Sequence, residues 1–185
     1  MVIFYSVYSA WFMSELLLNR LRRSGTADKR HVDKNTLLIL WIVIIVAMFF
    51  GMVIKLNSSF PIASDGLINY SGLVIIIIGM MIRFAAVRQL GRYFTVDVTI
   101  RADHQIMTEG LYKYVRHPSY SGSLLSFVGY GLSLNNYVSL AVVVVPVFIS
   151  FLYRMHVEEK ALIDQFGQSY SNYRSTTKRL IPLLY

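Results

Sequence analysis

Leu37-Leu38-Ile39-Leu40-Trp41-Ile42-Val43-Ile44-Ile45-Val46-Ala47-Met48-Phe49-Phe50-Gly51-Met52-Val53-Ile54 carries no charged or amide side chain from end to end. A helix rises about 1.5 Å per residue, so a bilayer core of about 30 Å asks for roughly 20 apolar residues. Working outward, residues 2–18, 67 to about 87, 120–134 and 137–153 form four further apolar blocks. The 185-residue chain is 55% hydrophobic and 15% charged, with a mean hydropathy of +0.51. A soluble domain carries about 25% charged residues, so the composition excludes an ordinary soluble enzyme and makes lipid the solvent of the fold. Cysteine is absent, which removes disulfides, thiolate metal sites and thiol nucleophiles together. The net charge of +8 sits beside the apolar blocks, a placement suited to anionic lipid headgroups and not to nucleic acid.

Five crossings make an all-α integral membrane protein, and lysine and arginine set its orientation because basic residues stay on the cytoplasmic side. Arg20, Arg22, Arg23, Lys29, Arg30 and Lys34 crowd the first loop, and Arg88, Arg92, Arg101, Lys113 and Arg116 the third. The second loop has only Lys55 and the fourth none, while the tail has Lys160, Arg174, Lys178 and Arg179. The N-terminus is therefore expected outside, with a cytosolic helical tail. The arginines follow the first block instead of preceding it, so it reads as a retained helix and not as a signal peptide. The chain reads as one membrane-embedded domain, 1–185, opening with two helices over 1–66.

Segments four and five are separated by about two residues and must form an antiparallel hairpin. Centring its turn between Asn135 and Asn136 brings residue 117 level with 154. Arg116, His117 and Tyr120 then face Arg154, His156, Glu158 and Glu159 at the cytoplasmic boundary. Arginine and tyrosine at helix ends commonly anchor to headgroups, and Arg154 with Glu158 could form an ordinary helix-surface pair. Two adjacent glutamates directly after a membrane segment have no anchoring role, however, and charge beside lipid needs partners. His104, His117 and His156 lack the spacing of a helical ligand pair, so no metal site is expected. Ser119, Ser121 and Ser123 lack a nucleophile elbow and suit helix packing. The seven-residue spacing of Gly122 and Gly129 leaves one helix face open to close approach.

The stretch from Gly110 to Gly122, containing Arg116-His117-Pro118-Ser119-Tyr120-Ser121-Gly122, is followed by Glu158-Glu159, Phe166-Gly167, Tyr170, Tyr173 and Arg179-Leu180-Ile181-Pro182. With Arg83, Leu90-Gly91-Arg92 and His104 to Gly110, this pattern resembles the isoprenylcysteine carboxyl methyltransferase family, a relative of the phospholipid methyltransferases. The resemblance spans roughly residue 80 to the C-terminus, which it marks as the catalytic core (80–185). It implies methyl transfer from S-adenosylmethionine to the carboxylate of an isoprenylcysteine-like acceptor in the lipid bilayer, with the cofactor in a cytosolic pocket closed by the tail. It assigns His104, Gln105, Ile106, Met107, Tyr112, His117, Pro118, Ser119, Tyr120 and Glu158 to the cofactor, and Arg154 to the acceptor carboxylate.

Those residue types suit the chemistry. The cofactor presents an adenine, a ribose diol and an ammonium, which ask for aromatic walls and an acidic acceptor. A carboxylate nucleophile is already ionised at neutral pH and needs no general base. Two rivals keep the fold: an NADPH-dependent sterol-type reductase, which shares H-P-x-Y and would use Arg174, Lys178 and Arg179 for a 2′-phosphate, and a non-catalytic membrane adaptor.

Overall fold

The computed structural model describes residues 1–21, 31–33, 36–94, 98–99 and 105–182. Its helices are α1 (Val2–Leu21), α2 (Thr36–Asn57), α3 (Leu67–Leu90), α4 (Pro118–Ser133), α5 (Tyr137–Phe166) and α6 (Gln168–Thr176). Short 3-10 turns occupy Gly91–Tyr93 and Gly110–Lys113, and β1 (His31–Asp33) pairs antiparallel with β2 (Val98–Thr99). Among the described residues three helices, α2, α3 and α5, are long and apolar enough to cross a membrane, while the apolar part of α1, Val2–Leu18, is shorter. Leu38, Ile42, Ile45 and Phe49 of α2 point outward and exposed. On a soluble protein such a face would be a liability; here it fits hydrocarbon.

The closest packing in the bundle joins α3 to α4. Gly72 and Gly79 of α3 face Gly129 and Gly122 of α4, so close that a Cβ at Gly72 would lie 2.5 Å from the Gly129 carbonyl oxygen. A Cβ at Gly79 would lie 2.5 Å from the Gly122 oxygen. Lipid supplies no hydrophobic drive between helices, so backbone contact and interhelical hydrogen bonds must hold them. Ser126 Oγ donates to the Ile76 carbonyl (3.2 Å) and Asn69 Nδ2 to that of Ser133 (2.7 Å). The open face expected at Gly122 and Gly129 is thus filled by a matching pair on α3. Elsewhere α1 packs on α3 and α2 on α5, and α1 meets α2 through the rings of Phe12 and Trp41, 6.4 Å apart.

The expected hairpin between α4 and α5 turns on Asn135, whose φ of 48° is left-handed, a conformation asparagine tolerates better than most residues. Asn135 Oδ1 accepts from Ile62 N–H (2.9 Å) and Ala63 N–H (3.0 Å). Asn136 Oδ1 caps α5 by accepting from Ser139 N–H (3.0 Å). The turn therefore also fixes the loop between α2 and α3. Helix α5 does not stop at residue 153 but runs on to Phe166, where Gly167 at φ 55° ends it. After α6 the chain lies parallel to residues 114–117: Arg116 N–H donates to Lys178 O (2.8 Å) and His117 N–H to Arg179 O (3.1 Å).

Backbone atoms at the α3–α4 contact cannot yield as side chains do, so Gly79→Val should cost at least the roughly 1–3 kcal/mol of core overpacking. The expected outcome is a lowered melting temperature in detergent, with Gly66→Ala, where a Cβ meets nothing within 4 Å, leaving it unchanged.

Candidate functional site

Past residue 153, α5 carries Arg154, Glu158 and Glu159 alongside the start of α4, and the polar constellation assembles there. Arg154 Nε–H donates to Tyr120 Oη (2.9 Å), and Tyr120 O–H donates to Glu158 Oε2 (3.2 Å). Arg154 Nη1 also donates to Thr36 Oγ1 at the start of α2 (3.3 Å). The pairing is offset from the level expected of the turn: Tyr120 meets 154 and 158, and His117 meets 159. His156, expected in the cluster, points outward and exposed.

Glu159 is the most connected group of this end. Its side chain is 3% exposed. Oε1 accepts from Arg116 Nε–H (3.0 Å) and faces His117 Nε2 (3.2 Å), while Oε2 accepts from Arg179 Nη2–H (2.7 Å). An ionised carboxylate can only accept, which assigns the ring proton of His117 to Nε2. Arg116 Nη1 donates onward to the carbonyls of Arg174 (3.0 Å) and Thr177. The tail is thereby latched to α4 and α5, aided by Tyr173 O–H donating to Tyr112 O (2.6 Å) and Ser121 Oγ to Leu180 O (2.6 Å).

Beside this latch runs a cavity of about 1570 Å³, its open mouth included. Trp11 and Phe12 of α1 and Leu40, Trp41, Ile44 and Met48 of α2 make an apolar wall. Gln105, Ile106, Met107, Tyr112, Glu158, Tyr170 and Tyr173 line the opposite, more polar end. Arg83, Ser119, Tyr120 and Arg154 border it too. Burial, reinforced by the charge of Glu158, pushes the Tyr112 phenol up. Burial and then Glu159 and Glu158 do the same for Tyr170, and burial takes Tyr173 to about 12. All three remain neutral O–H groups near neutral pH.

Of the residues expected at the cofactor or acceptor, Gln105, Ile106, Met107, Tyr112, His117, Ser119, Tyr120, Arg154 and Glu158 border this one cavity. Pro118 does not: it is fully buried as the first residue of α4, where its missing N–H costs nothing. His104 lies outside the described residues. Sequence reasoning left out the walls from α1 and α2, and also Glu15 of α1. Glu15 Oε1 sits 2.7 Å from Arg83 Nε, and both side chains border the cavity. The available signal was an acidic residue in the first apolar block and a basic one in the third, since an ionisable side chain inside such a run is costly enough to imply a use.

The sequence pattern of the Isoprenylcysteine carboxyl methyltransferase (ICMT) family matches residues 72–164. A "Probable protein-S-isoprenylcysteine O-methyltransferase" of Oryza sativa subsp. indica is 34% identical over 168 residues, covering 88% of this chain and 84% of the rice protein. The "Protein-S-isoprenylcysteine O-methyltransferase" of Schizosaccharomyces pombe is 35% identical over 116 residues, 62% of this chain and 49% of the yeast one. Among solved structures, the "eukaryotic intramembrane Ras methyltransferase ICMT" superposes with a TM-score of 0.61 at 25% identity, over 80% of this chain and 51% of that one. The chain thus spans about half the length of the yeast protein and of the solved structure.

Removing one partner of a buried ionic network costs about 3–5 kcal/mol because it strands the remaining charges. Glu159→Gln, which leaves Arg116 and Arg179 without their anion, should therefore lower the melting temperature sharply. Limited proteolysis should show the tail beyond α5 cut faster than in wild type.

Proposed function

The chain belongs to the isoprenylcysteine carboxyl methyltransferase family, and from that premise we propose that it methylates the carboxylate of an isoprenylcysteine-like acceptor with S-adenosylmethionine as donor. The observation that carries this reading is a cavity in which an apolar wall from α1 and α2 meets the polar group Arg83, Arg154, Tyr120 and Glu158. Five membrane crossings, an outside N-terminus and a cytosolic polar end complete the proposal, supported by the alternation of basic residues along the loops.

The polar end fits the donor. Glu158, with its side chain 34% exposed, has acceptor capacity left for an ammonium or a ribose diol, and Tyr112, Tyr170 and Tyr173 offer aromatic surface for an adenine. When bound, the donor supplies an electrophilic methyl group: its carbon–sulfur bond breaks as the carbon–oxygen bond forms, the electron pair stays on sulfur, and no proton moves. Residues of this chain then have three tasks. Arg154, held by Tyr120 and Thr36, presents a fixed guanidinium to the acceptor carboxylate. Leu40, Ile44 and Met48 take the apolar chain. The tail latch keeps the polar end closed against water, which favours a reaction between opposite charges that neutralises both.

Of the cations that a reductase would need for a 2′-phosphate, Arg179 is bound to Glu159. A mere adaptor would have no use for a charged group at the junction of apolar and polar walls. The deciding experiment is tritiated-methyl transfer from S-adenosylmethionine to N-acetyl-S-farnesylcysteine by the purified protein, alongside calorimetry with the donor's demethylated product and with NADPH. Transfer and saturable binding of the nucleoside product are expected, with no saturable NADPH binding; the opposite binding pattern would favour the reductase.

Within that assay, Arg154→Lys should retain donor affinity while raising the acceptor KM or lowering kcat by about tenfold, because an ammonium keeps the charge but loses the planar fork. Wild-type kinetics from the lysine variant would remove Arg154 from the acceptor site.

A further inference from the structure

Glu15 is the only acidic residue of α1, and the reaction proposed above gives it no task. It nonetheless borders the cavity with its carboxylate 2.7 Å from Arg83 Nε. Both side chains are 16% exposed. The contact is close in charge and poor in direction: the Nε–H of Arg83 makes no hydrogen bond among the described residues. Arg83 is aimed from its other side, where Nη1 donates to Ser119 Oγ (3.0 Å) and to the Ser119 carbonyl (3.4 Å). Ser119 therefore fixes the guanidinium, and Glu15 balances it without locking it.

Arg154, at the same junction, is directed by Tyr120 and Thr36. An acceptor carboxylate arriving there adds a second anion beside Arg83, and two carboxylates on one guanidinium repel each other in a cavity with an apolar wall. The anion without a directed hydrogen bond is the one that gives way. Methylation then erases the charge of the acceptor, and Arg83 again needs a counter-ion, because a lone guanidinium next to apolar surface is costly.

We infer that Glu15 is the resting counter-ion of Arg83, displaced by the acceptor's carboxylate and reseated when the product becomes a neutral ester. The inference rests on the proposed carboxylate methylation and adds a positioning residue to it. Arg83 thus faces one anion in the empty, acid-bound and ester-bound states, and Glu15 competes with the acid substrate alone.

The test compares wild type with Glu15→Gln by calorimetric Kd for N-acetyl-S-farnesylcysteine and for its methyl ester, together with steady-state kinetics at saturating donor. Removing the competitor should tighten the acid's Kd and lower its KM by about two- to fivefold, the range of a partly exposed ion pair. The ester's Kd should stay as in wild type. If Glu15→Gln does not fold, Glu15→Asp keeps the charge on a shorter stem that gives up the 2.7 Å contact, and it should shift acid over ester in the same direction. A brace that merely holds α1 to α3 would change acid and ester alike, and that result, an unchanged acid Kd or a raised KM overturns the inference. A wild-type protein that transfers no methyl to the farnesylated acid refutes the proposed function and this inference with it, whereas active wild type with an unshifted variant refutes the inference alone.

Discussion

One buried carboxylate organises the polar end of this molecule. Glu159 gathers Arg116 and His117 from the loop before α4 and Arg179 from the tail onto α5, and no two of these three segments adjoin in sequence. Two guanidinium groups in a sparsely hydrated place would repel each other without it, so the tail, the start of α4 and the far end of α5 share one electrostatic solution. Its neighbour Glu158 lies about 100° further round the helix. There it is partly exposed, on the cavity, and bonded to Tyr120. The adjacent pair thus divides into a carboxylate that holds the fold and one left available to a ligand.

The polar constellation was legible from the chain because a two-residue turn leaves little freedom in how α4 and α5 align. The offset in the observed pairs has a plain cause. Helical side chains slant toward the N-terminus of their own helix. In this hairpin, Tyr120 therefore leans outward to the polar end, while Arg154 and Glu158 lean back toward the turn. Contacts join an α4 residue near the turn to an α5 residue farther from it, and counting from the turn alone ignores that slant. His156 falls out of the cluster because the face of α5 carrying Arg154 and Glu158 turns away from it.

The contribution of α1 and α2 was not legible, and neither were Gly72 and Gly79. Turn length fixes neighbours only within a hairpin; α1 meets α3, and four glycines let α3 meet α4 backbone to backbone, between segments that no short turn joins. Glu15 and Arg83 sit 68 residues apart, and nothing in the spacing of either block announces the other. Their individual rarity within apolar sequence was the only trace, and rarity names a residue without naming its partner.

The seam between α1 and α2 sets how a membrane-borne molecule would meet the site. Those helices lean on α3 and α5, and across the gap stand the rings of Phe12 and Trp41. Aromatic side chains at a lipid-facing surface turn on a far shorter timescale than helices separate, so lateral passage here would begin with rotamer changes of these two rings. A reactant arriving that way moves by two-dimensional diffusion, and its effective concentration is a mole fraction among lipids. Diluting the bilayer with inert phospholipid would then slow turnover at a constant total amount of acceptor, while the same dilution leaves a water-borne co-substrate at full strength.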